Sequence, residues 1–317
     1  MKAAIVTKKG IAPVYDTFEE PVAGEKNVLV NVKAVALSNL TKMRAMGNHY
    51  SAGTVYPNVA GTDGVGTING KRVYFLATNA PYGSLAEQTL VNQKLMIPLP
   101  DGIDDITAAA IANPGMSSWA ALVSRAHFEA GQTVLINGAT GMAGSLAVKI
   151  AYHLGAKKVI VTGRNTEKLN KLGADAAIAF DMTVDNGADK FSADLASEVR
   201  EGIDVVLDYL WGDSALAIMT AIAKFGDHNT TRFVSIGAAA GQAEISLPSA
   251  VLRSSAIEIL GSGVKSATME QLMSAISSVF QWAAQEHIQI ATNKFSLSEI
   301  AAAWKAPLTP RAVVTVK

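Results

Sequence analysis

The sequence contains no cysteine at all. Disulfide bonds and thiolate metal ligands are therefore excluded, and this absence suits a reducing compartment such as the cytoplasm. No apolar run approaches the ~18 residues that a membrane span needs, and the apolar core of the first ten residues is too short for a signal peptide. We therefore expect a cytoplasmic protein without a membrane segment.

An excess of charge of either sign is also missing. The chain of 317 residues carries 27 basic and 27 acidic side chains, and charged residues make up only 17% of it. This balance is atypical of a nucleic-acid surface or a disordered tail, so we expect no nucleic-acid partner. Hydrophobic residues make up 49%, and the length predicts about two domains, each able to bury a core.

The most informative motif that is present is a strand followed directly by a glycine loop. The apolar strand Thr133–Asn137 precedes Gly138, Gly141 and Gly144, and a helix is predicted over 145–154. Three glycines at this spacing allow a tight turn, a close approach to a pyrophosphate and close packing of the next helix. A second apolar strand completes a βαβ unit of about 30 residues, which favours a dinucleotide site over a turn without a ligand.

The pattern of apolar residues along the chain changes near residue 107. Before it, the alternation over 28–35 and the Gly/Pro/Asn interruptions at 47–53, 57–70 and 79–84 predict a β-rich barrel. After it, strands alternate with helices, which predicts one doubly wound parallel sheet. Its six strands are expected at 133–137, 158–162, 176–180, 203–208, 232–236 and 256–261. A helix over 269–286 and a strand over 312–316 follow, and we expect that strand to rejoin the barrel.

In order and spacing, these segments resemble the medium-chain dehydrogenase/reductase superfamily, and within it the zinc-free, quinone-oxidoreductase-like branch. The resemblance runs nearly end to end, through 57–66, 70–74, 83–87, 99–102, 113–119, 204–209 and 259–263. It implies an α/β protein with a GroES-like barrel domain over 1–112 and 265–317 and a Rossmann NADP-binding domain over 113–264. It also implies a homodimer that pairs through the edge strand at 257–260.

Zinc-containing members carry Gly-His-Glu where this chain has Gly61-Thr62-Asp63, together with cysteines that are missing here. The five histidines lack the spacing of metal ligands. We therefore predict no metal site. Without a bound zinc, the protein cannot oxidise an alcohol through a zinc alkoxide.

The residues after the second Rossmann strand predict the choice of cofactor. NAD-selective sites place an acid there, whereas an Arg can receive the 2′-phosphate of NADP. This chain has Gly163, Arg164 and Asn165 at that place, with Lys168 one helical turn on. We predict NADP(H); the alternative for Arg164 and Lys168 is a solvated surface charge. The helix expected over 166–172 is about one turn shorter than in many relatives.

The remaining site residues are implied by the resemblance. The cofactor would contact Gly138, Thr140, Gly141, Met142, Ala143, Gly144, Gly163, Arg164, Asn165 and Lys168, and its nicotinamide half would lie near Asn113, Ser117, Gly237, Gly261, Ser262 and Gly263. The alternative for these last residues is a turn or cap role. On the substrate side, Ser38 and Thr41 stand where relatives often carry Asn and Asp. Tyr50 matches a family tyrosine that could hydrogen-bond a developing enolate or phenolate, or simply pack.

These features predict an enzyme that passes a hydride from NADPH to a quinone or to a conjugated carbonyl compound. No covalent nucleophile is implied, because cysteine and a Gly-x-Ser-x-Gly elbow are both missing. One alternative is an enoyl-thioester or carbonyl reductase, which a basic patch for a phosphate group would favour. The other is an NADPH-binding sensor or structural protein without turnover, since a fold does not fix a function.

Overall fold

The computed structural model describes residues 1–47, 55–76, 78, 80–227, 229–263, 265–307 and 309–317. The chain divides into two compact units, Met1–Asn113 with Ile276–Lys317, and Pro114–Ala275. None of the helices in these ranges is long and apolar enough to cross a membrane. The helices are α1 (Asn39–Ala45), α2 (Asp105–Ala120), α3 (Met142–His153), α4 (Thr166–Asn170), α5 (Gly187–Asp194), α6 (Ala196–Glu201), α7 (Gly212–Phe225), α8 (Ser249–Arg253), α9 (Met269–Gln285) and α10 (Ile300–Lys305).

Two sheets form the first unit. Its strands are β1 (Lys2–Val6), β2 (Val14–Thr17), β3 (Asn27–Ala36), β4 (Asn58–Val59), β5 (Asp63–Ile68), β6 (Lys71–Leu76), β7 (Gln88–Asn92), β8 (Met96–Pro98), β15 (Thr292–Ser296) and β16 (Arg311–Thr315). One sheet has the order β2-β1-β4 and the other β15-β16-β3-β5-β6-β8, with β7 also paired to β3. The alternation in β3 buries Val30, Val32 and Ala34, as expected for a strand with one face on the core.

Two sequence expectations are tested in this unit. The predicted interruption over 57–70 is wrong, because β4 and the whole of β5 lie within it. The glycines of β5 are strand residues that allow close approach of β3; a Cβ on Gly66 would lie 2.5 Å from the Asn31 carbonyl oxygen. The final strand pairs antiparallel with β3, so the prediction that it rejoins this part of the chain is confirmed.

The second unit contains a six-stranded parallel sheet of order β11-β10-β9-β12-β13-β14. Its strands are β9 (Thr133–Asn137), β10 (Lys158–Gly163), β11 (Ala176–Ala179), β12 (Val205–Asp208), β13 (Thr231–Ser235) and β14 (Ile257–Gly261). This arrangement confirms the predicted doubly wound sheet. The helix after the glycine loop begins at Met142, three residues before the predicted start, because extended Gly141 occupies its N-cap position.

Candidate functional site

The glycine loop is tied to the neighbouring strand by its backbone. The N–H groups of Gly138 and Ala139 both donate to the Thr162 carbonyl of β10, at 3.0 and 3.1 Å. Gly138 has a φ of +88°, a conformation that glycine adopts without steric penalty. The loop therefore leaves β9 in a fixed direction set by the second strand.

The other two glycines of the loop have different surroundings. A Cβ on Gly144 would lie 2.5 Å from the Gly138 carbonyl oxygen and 2.7 Å from the Ala139 Cα, so only glycine fits there. A Cβ on Gly141 would have nothing nearer than 3.7 Å. Gly144 thus lets α3 pack against the loop, whereas Gly141 presents bare backbone to open space.

The first turn of α3 offers backbone N–H groups that donate to no partner within the described residues. Gly141 supplies no side-chain cap, and within the described chain the N–H groups of Met142, Ala143 and Gly144 have no acceptor. Such N–H groups, together with the positive end of the helix dipole, favour a phosphate. This end of the helix fits the pyrophosphate of a dinucleotide.

The strand order reverses between β9 and β12, and a buried polar cluster lies at that point. Asn137 and Asp208 are opposite each other in the strand register, and the Asn137 Nδ2 donates to the Asp208 Oδ1 at 2.8 Å. Thr162 Oγ1 donates to Asn137 Oδ1 at 2.7 Å, and Asn137 Nδ2 also donates to Ser214 Oγ at 3.0 Å. Ligands of doubly wound sheets bind at this reversal.

Sequence reasoning singled out none of this cluster's residues as site residues. Asp208 has no exposed surface, and burial raises its pKa to about 6, although N–H donors from Leu210, Asn137 and Trp211 oppose that shift. The available signal was the polar residue that closes each of two apolar strands at adjacent positions of the sheet.

Several residues predicted for the nicotinamide side lie near the ends of β12, β13 and β14. The N–H of Gly237 donates to the Asp208 carbonyl at 3.3 Å, and the N–H of Ser262 donates to the Ser235 carbonyl at 2.8 Å. Arg125 Nε donates to the Gly261 carbonyl at 2.8 Å, and the N–H of Gly263 donates to Ser266 Oγ. The structure therefore gives these residues turn contacts at the carboxyl edge of the sheet.

Helix α2 contributes a hydroxyl that sequence reasoning missed. Ser118 Oγ lies 2.7 Å from the Tyr209 hydroxyl, and burial is the main cause that raises the Tyr209 pKa. The predicted Ser117 donates to the Pro114 carbonyl at 2.9 Å. Partly buried Asn113 precedes it by four residues in the same helix.

The predicted site residues in the segment after β10 have different structural roles. Asn165 caps α4, because its Oδ1 accepts the Lys168 N–H at 2.8 Å, and Gly163 is buried. Arg164 and Lys168 are exposed. Hydrogen bonds from Thr183, and more weakly the charge of Arg164, lower the pKa of Asp181. The helix ends at Asn170, two residues before its predicted end.

Comparisons with known proteins agree with this geometry. The family model described as "Zinc-binding dehydrogenase" matches residues 143–278. A "Probable NADPH-dependent quinone reductase" of Emericella nidulans is 26% identical over 96% of this chain and 96% of its own. The quinone oxidoreductase of Thermus thermophilus has the same fold, with a TM-score of 0.78 and 24% identity over 99% of this chain and 100% of that one.

Together, these similarities support a medium-chain dehydrogenase/reductase of the quinone-oxidoreductase-like kind. A further relative, the chloroplastic NADPH-dependent alkenal/one oxidoreductase of Arabidopsis thaliana, is 35% identical over 52% of this chain and 47% of its own length.

The predicted substrate-side hydroxyls of Ser38 and Thr41 are hydrogen-bonded to each other. Ser38 is the N-cap of α1; its Oγ accepts the Thr41 N–H at 3.0 Å and lies 2.9 Å from Thr41 Oγ1. Both side chains are buried, so a cap role competes with the predicted catalytic one. Tyr50 lies outside the described residues. Thr41 and Arg44 line a cavity of the first unit, together with Thr62, Thr78 and Tyr82.

The position that carries Gly-His-Glu in zinc-containing medium-chain dehydrogenase/reductases has different bonding here. Asp63 accepts the Tyr74 hydroxyl at 2.8 Å and the Thr62 hydroxyl at 2.7 Å, and burial is the main cause that raises the Tyr74 pKa. The described ranges contain no group of three or more His, Cys, Asp or Glu side chains that could hold a metal ion.

Proposed function

We propose that this protein transfers a hydride from NADPH to a quinone or a conjugated carbonyl compound without a catalytic zinc. The observation that carries the proposal is the first turn of α3, with unused N–H donors beside the open backbone of Gly141. The near full-length match to a relative named as an NADPH-dependent quinone reductase supports the cofactor and the reaction class. The relative named as an alkenal/one oxidoreductase supports conjugated carbonyls as acceptors.

The residues of the second unit fit NADP(H) part by part. The N–H groups of Met142 and Ala143 would hold the pyrophosphate, and Arg164 the 2′-phosphate. When bound, NADPH supplies the hydride, so the protein must chiefly orient the cofactor and exclude competing reactions. A quinone would complete its reduction with protons from water or a nearby hydroxyl, whereas an enone would take the hydride at its β-carbon.

An acceptor panel tests this function. Wild-type protein and a Gly144→Val blank are mixed with NADPH and, separately, with quinones, enals, enones and enoyl thioesters, and NADPH oxidation is followed by absorbance. We expect oxidation by wild type with a quinone or a conjugated carbonyl compound. Turnover confined to enoyl thioesters would favour the thioester reductase alternative. Tight NADPH binding without oxidation by any acceptor would favour a sensor or structural role.

Zinc independence gives a separate prediction. The purified protein should contain no stoichiometric zinc by elemental analysis, and prolonged treatment with a chelator should leave the oxidation rate unchanged, because the chain has no thiolate ligands. Adding zinc back to chelated protein is the control. One tightly bound zinc per chain, whose removal abolishes turnover, contradicts this part of the proposal.

We also propose a cytoplasmic homodimer that pairs through β14. This strand is at the end of the parallel sheet, and its Ile259 is 40% exposed. An exposed apolar edge strand of this kind favours pairing with a second chain. Light scattering at micromolar concentration should give the mass of two chains, and Ile259→Lys should reduce it to that of one. A wild-type monomer would rule the dimer out.

A further inference from the structure

Asp208 connects two loops that lie above the reversal point of the parallel sheet. Its Oδ1 accepts the Asn137 Nδ2 at 2.8 Å, and Asn137 is the residue directly before the glycine loop. The same carboxylate accepts the Leu210 N–H at 3.1 Å and the Trp211 N–H at 3.1 and 3.2 Å. One buried group therefore holds both the start of the glycine loop and the loop between β12 and α7.

The two loops touch, so the position of one sets the position of the other. A Cβ on Gly138 would lie 2.8 Å from Leu210 Cγ, and the Ala240 N–H donates to the Leu210 carbonyl at 3.0 Å. Trp211 has a φ of +60°, a conformation that a non-glycine residue keeps only when its surroundings enforce it. The hydrogen bonds from its N–H to Asp208 are such a constraint.

We infer that ionised Asp208 is a positioning residue for the dinucleotide: by accepting from Asn137, Leu210 and Trp211 it holds the glycine loop and the β12–α7 loop in their binding shape. This inference rests on the cofactor site of the proposed function. It assigns Asp208 no contact with the reacting atoms.

Protonation should weaken this hold. A protonated carboxyl has one oxygen that donates, so it loses acceptor capacity toward the three N–H groups. Burial, the largest cause, raises the Asp208 pKa to about 6, and no charged side chain of the described residues contributes to that shift. The nearest titratable groups along the chain are engaged elsewhere: Tyr209 with Ser118 and Asp213 with Gln242.

The test measures NADPH and NADH affinity by fluorescence titration from pH 5 to pH 8. For wild type, the Kd should rise on the order of tenfold as the pH falls through 6, the loss of one charge-assisted hydrogen bond. NADH is essential, because the 2′-phosphate of NADPH itself titrates near a pKa of about 6 and NADH lacks it. Asp208→Asn, which is neutral at every pH, should bind both cofactors weakly and should show no step with NADH.

Asp213→Asn is the matched control, since Asp213 is an exposed acid on α7, and it should keep the wild-type profile. Melting temperatures at each pH separate loosened loops from unfolding. Because burial raises its pKa, Asp208 becomes easier to protonate in the folded protein than in the unfolded chain, so its protonation does not itself favour unfolding.

Three results overturn the inference. The first is a wild-type Kd for NADH that does not change between pH 5 and 7, a reading that needs no variant and therefore serves even where Asp208→Asn fails to fold. The second is an Asp208→Asn protein with wild-type affinity for NADH at pH 7.5, and the third is an Asp208→Asn protein that keeps the acid step with NADH. Absence of binding by either cofactor at pH 7.5 would instead reject the proposed function.

Discussion

Gly144→Ala is expected to lower the free energy of unfolding by about 1 kcal/mol, whereas Gly141→Ala should leave it nearly unchanged. The alanine methyl at position 144 would lie 2.5 Å from the Gly138 carbonyl oxygen, and backbone can give way only by moving the loop. Such overpacking costs about 1–3 kcal/mol, and the ~1 kcal/mol that alanine gains over glycine inside a helix offsets part of that cost. Chemical denaturation of both variants measures the difference.

The same pair of variants separates packing from cofactor contact. Gly141→Ala places its methyl in open space, on the side where the pyrophosphate would approach the backbone. We therefore expect it to weaken NADPH binding about tenfold or more while the fold stays intact. Gly144→Ala should lose both stability and affinity. If Gly141→Ala binds NADPH as wild type does, the phosphates do not pass over this glycine and the assignment of the loop is wrong.

Arg164→Asp is expected to reverse the preference between NADPH and NADH. A guanidinium paired with the 2′-phosphate contributes on the order of 1.5–3 kcal/mol, which gives wild type a roughly tenfold to hundredfold preference for NADPH. A carboxylate repels that phosphate and can accept hydrogen bonds from the ribose hydroxyls of NADH. Arg164 is exposed, and its positive charge also acts on the Asp181 carboxylate, whose pKa it lowers. We therefore expect the lower part of that range.

Two further variants locate the effect. Asp181→Asn removes the competing carboxylate and should strengthen NADPH binding relative to NADH. Lys168→Gln removes an exposed charge one helical turn from Arg164 and should change the ratio of the two affinities by less than Arg164→Asp does. Fluorescence titration of both cofactors measures each ratio. Equal wild-type affinities, or an Arg164→Asp variant that weakens both cofactors alike, would make Arg164 an ordinary surface charge.

The parallel sheet could be predicted from the sequence because each of its strands is marked by a short local pattern of apolar residues. Strands buried on both faces read as short apolar runs, and the runs at Thr133–Asn137 and Lys158–Gly163 lie within a residue of their predicted bounds. The glycine loop was visible for the same reason, since its spacing follows from one turn and one helix start. The doubly wound arrangement of the six strands then followed from their alternation with helices, whereas their order in the sheet came from the structure.

The features that sequence reasoning missed depend on contacts between distant parts of the chain. Asn137 and Asp208 are 71 residues apart, and Ser118 and Tyr209 are 91 apart, so no local pattern joins them. β15 escaped prediction because its Thr292–Ser296 sequence lacks a strong apolar alternation, and because it pairs with β16, which lies further along the chain. Sequence alone also could not show that Ser38 caps a helix. Its catalytic role stays a prediction.

Isotope transfer can show whether this protein moves a hydride from NADPH to an external acceptor. NADPH carrying deuterium at the transferred position of its nicotinamide ring is mixed with wild-type protein and an enone, and with a quinone in a parallel reaction. We expect acceptor-dependent oxidation of NADPH by at least one of them, with one deuterium at the β-carbon of a reduced enone or one hydroquinone per NADPH consumed. Bound NADPH that is never oxidised in the presence of either acceptor would contradict it.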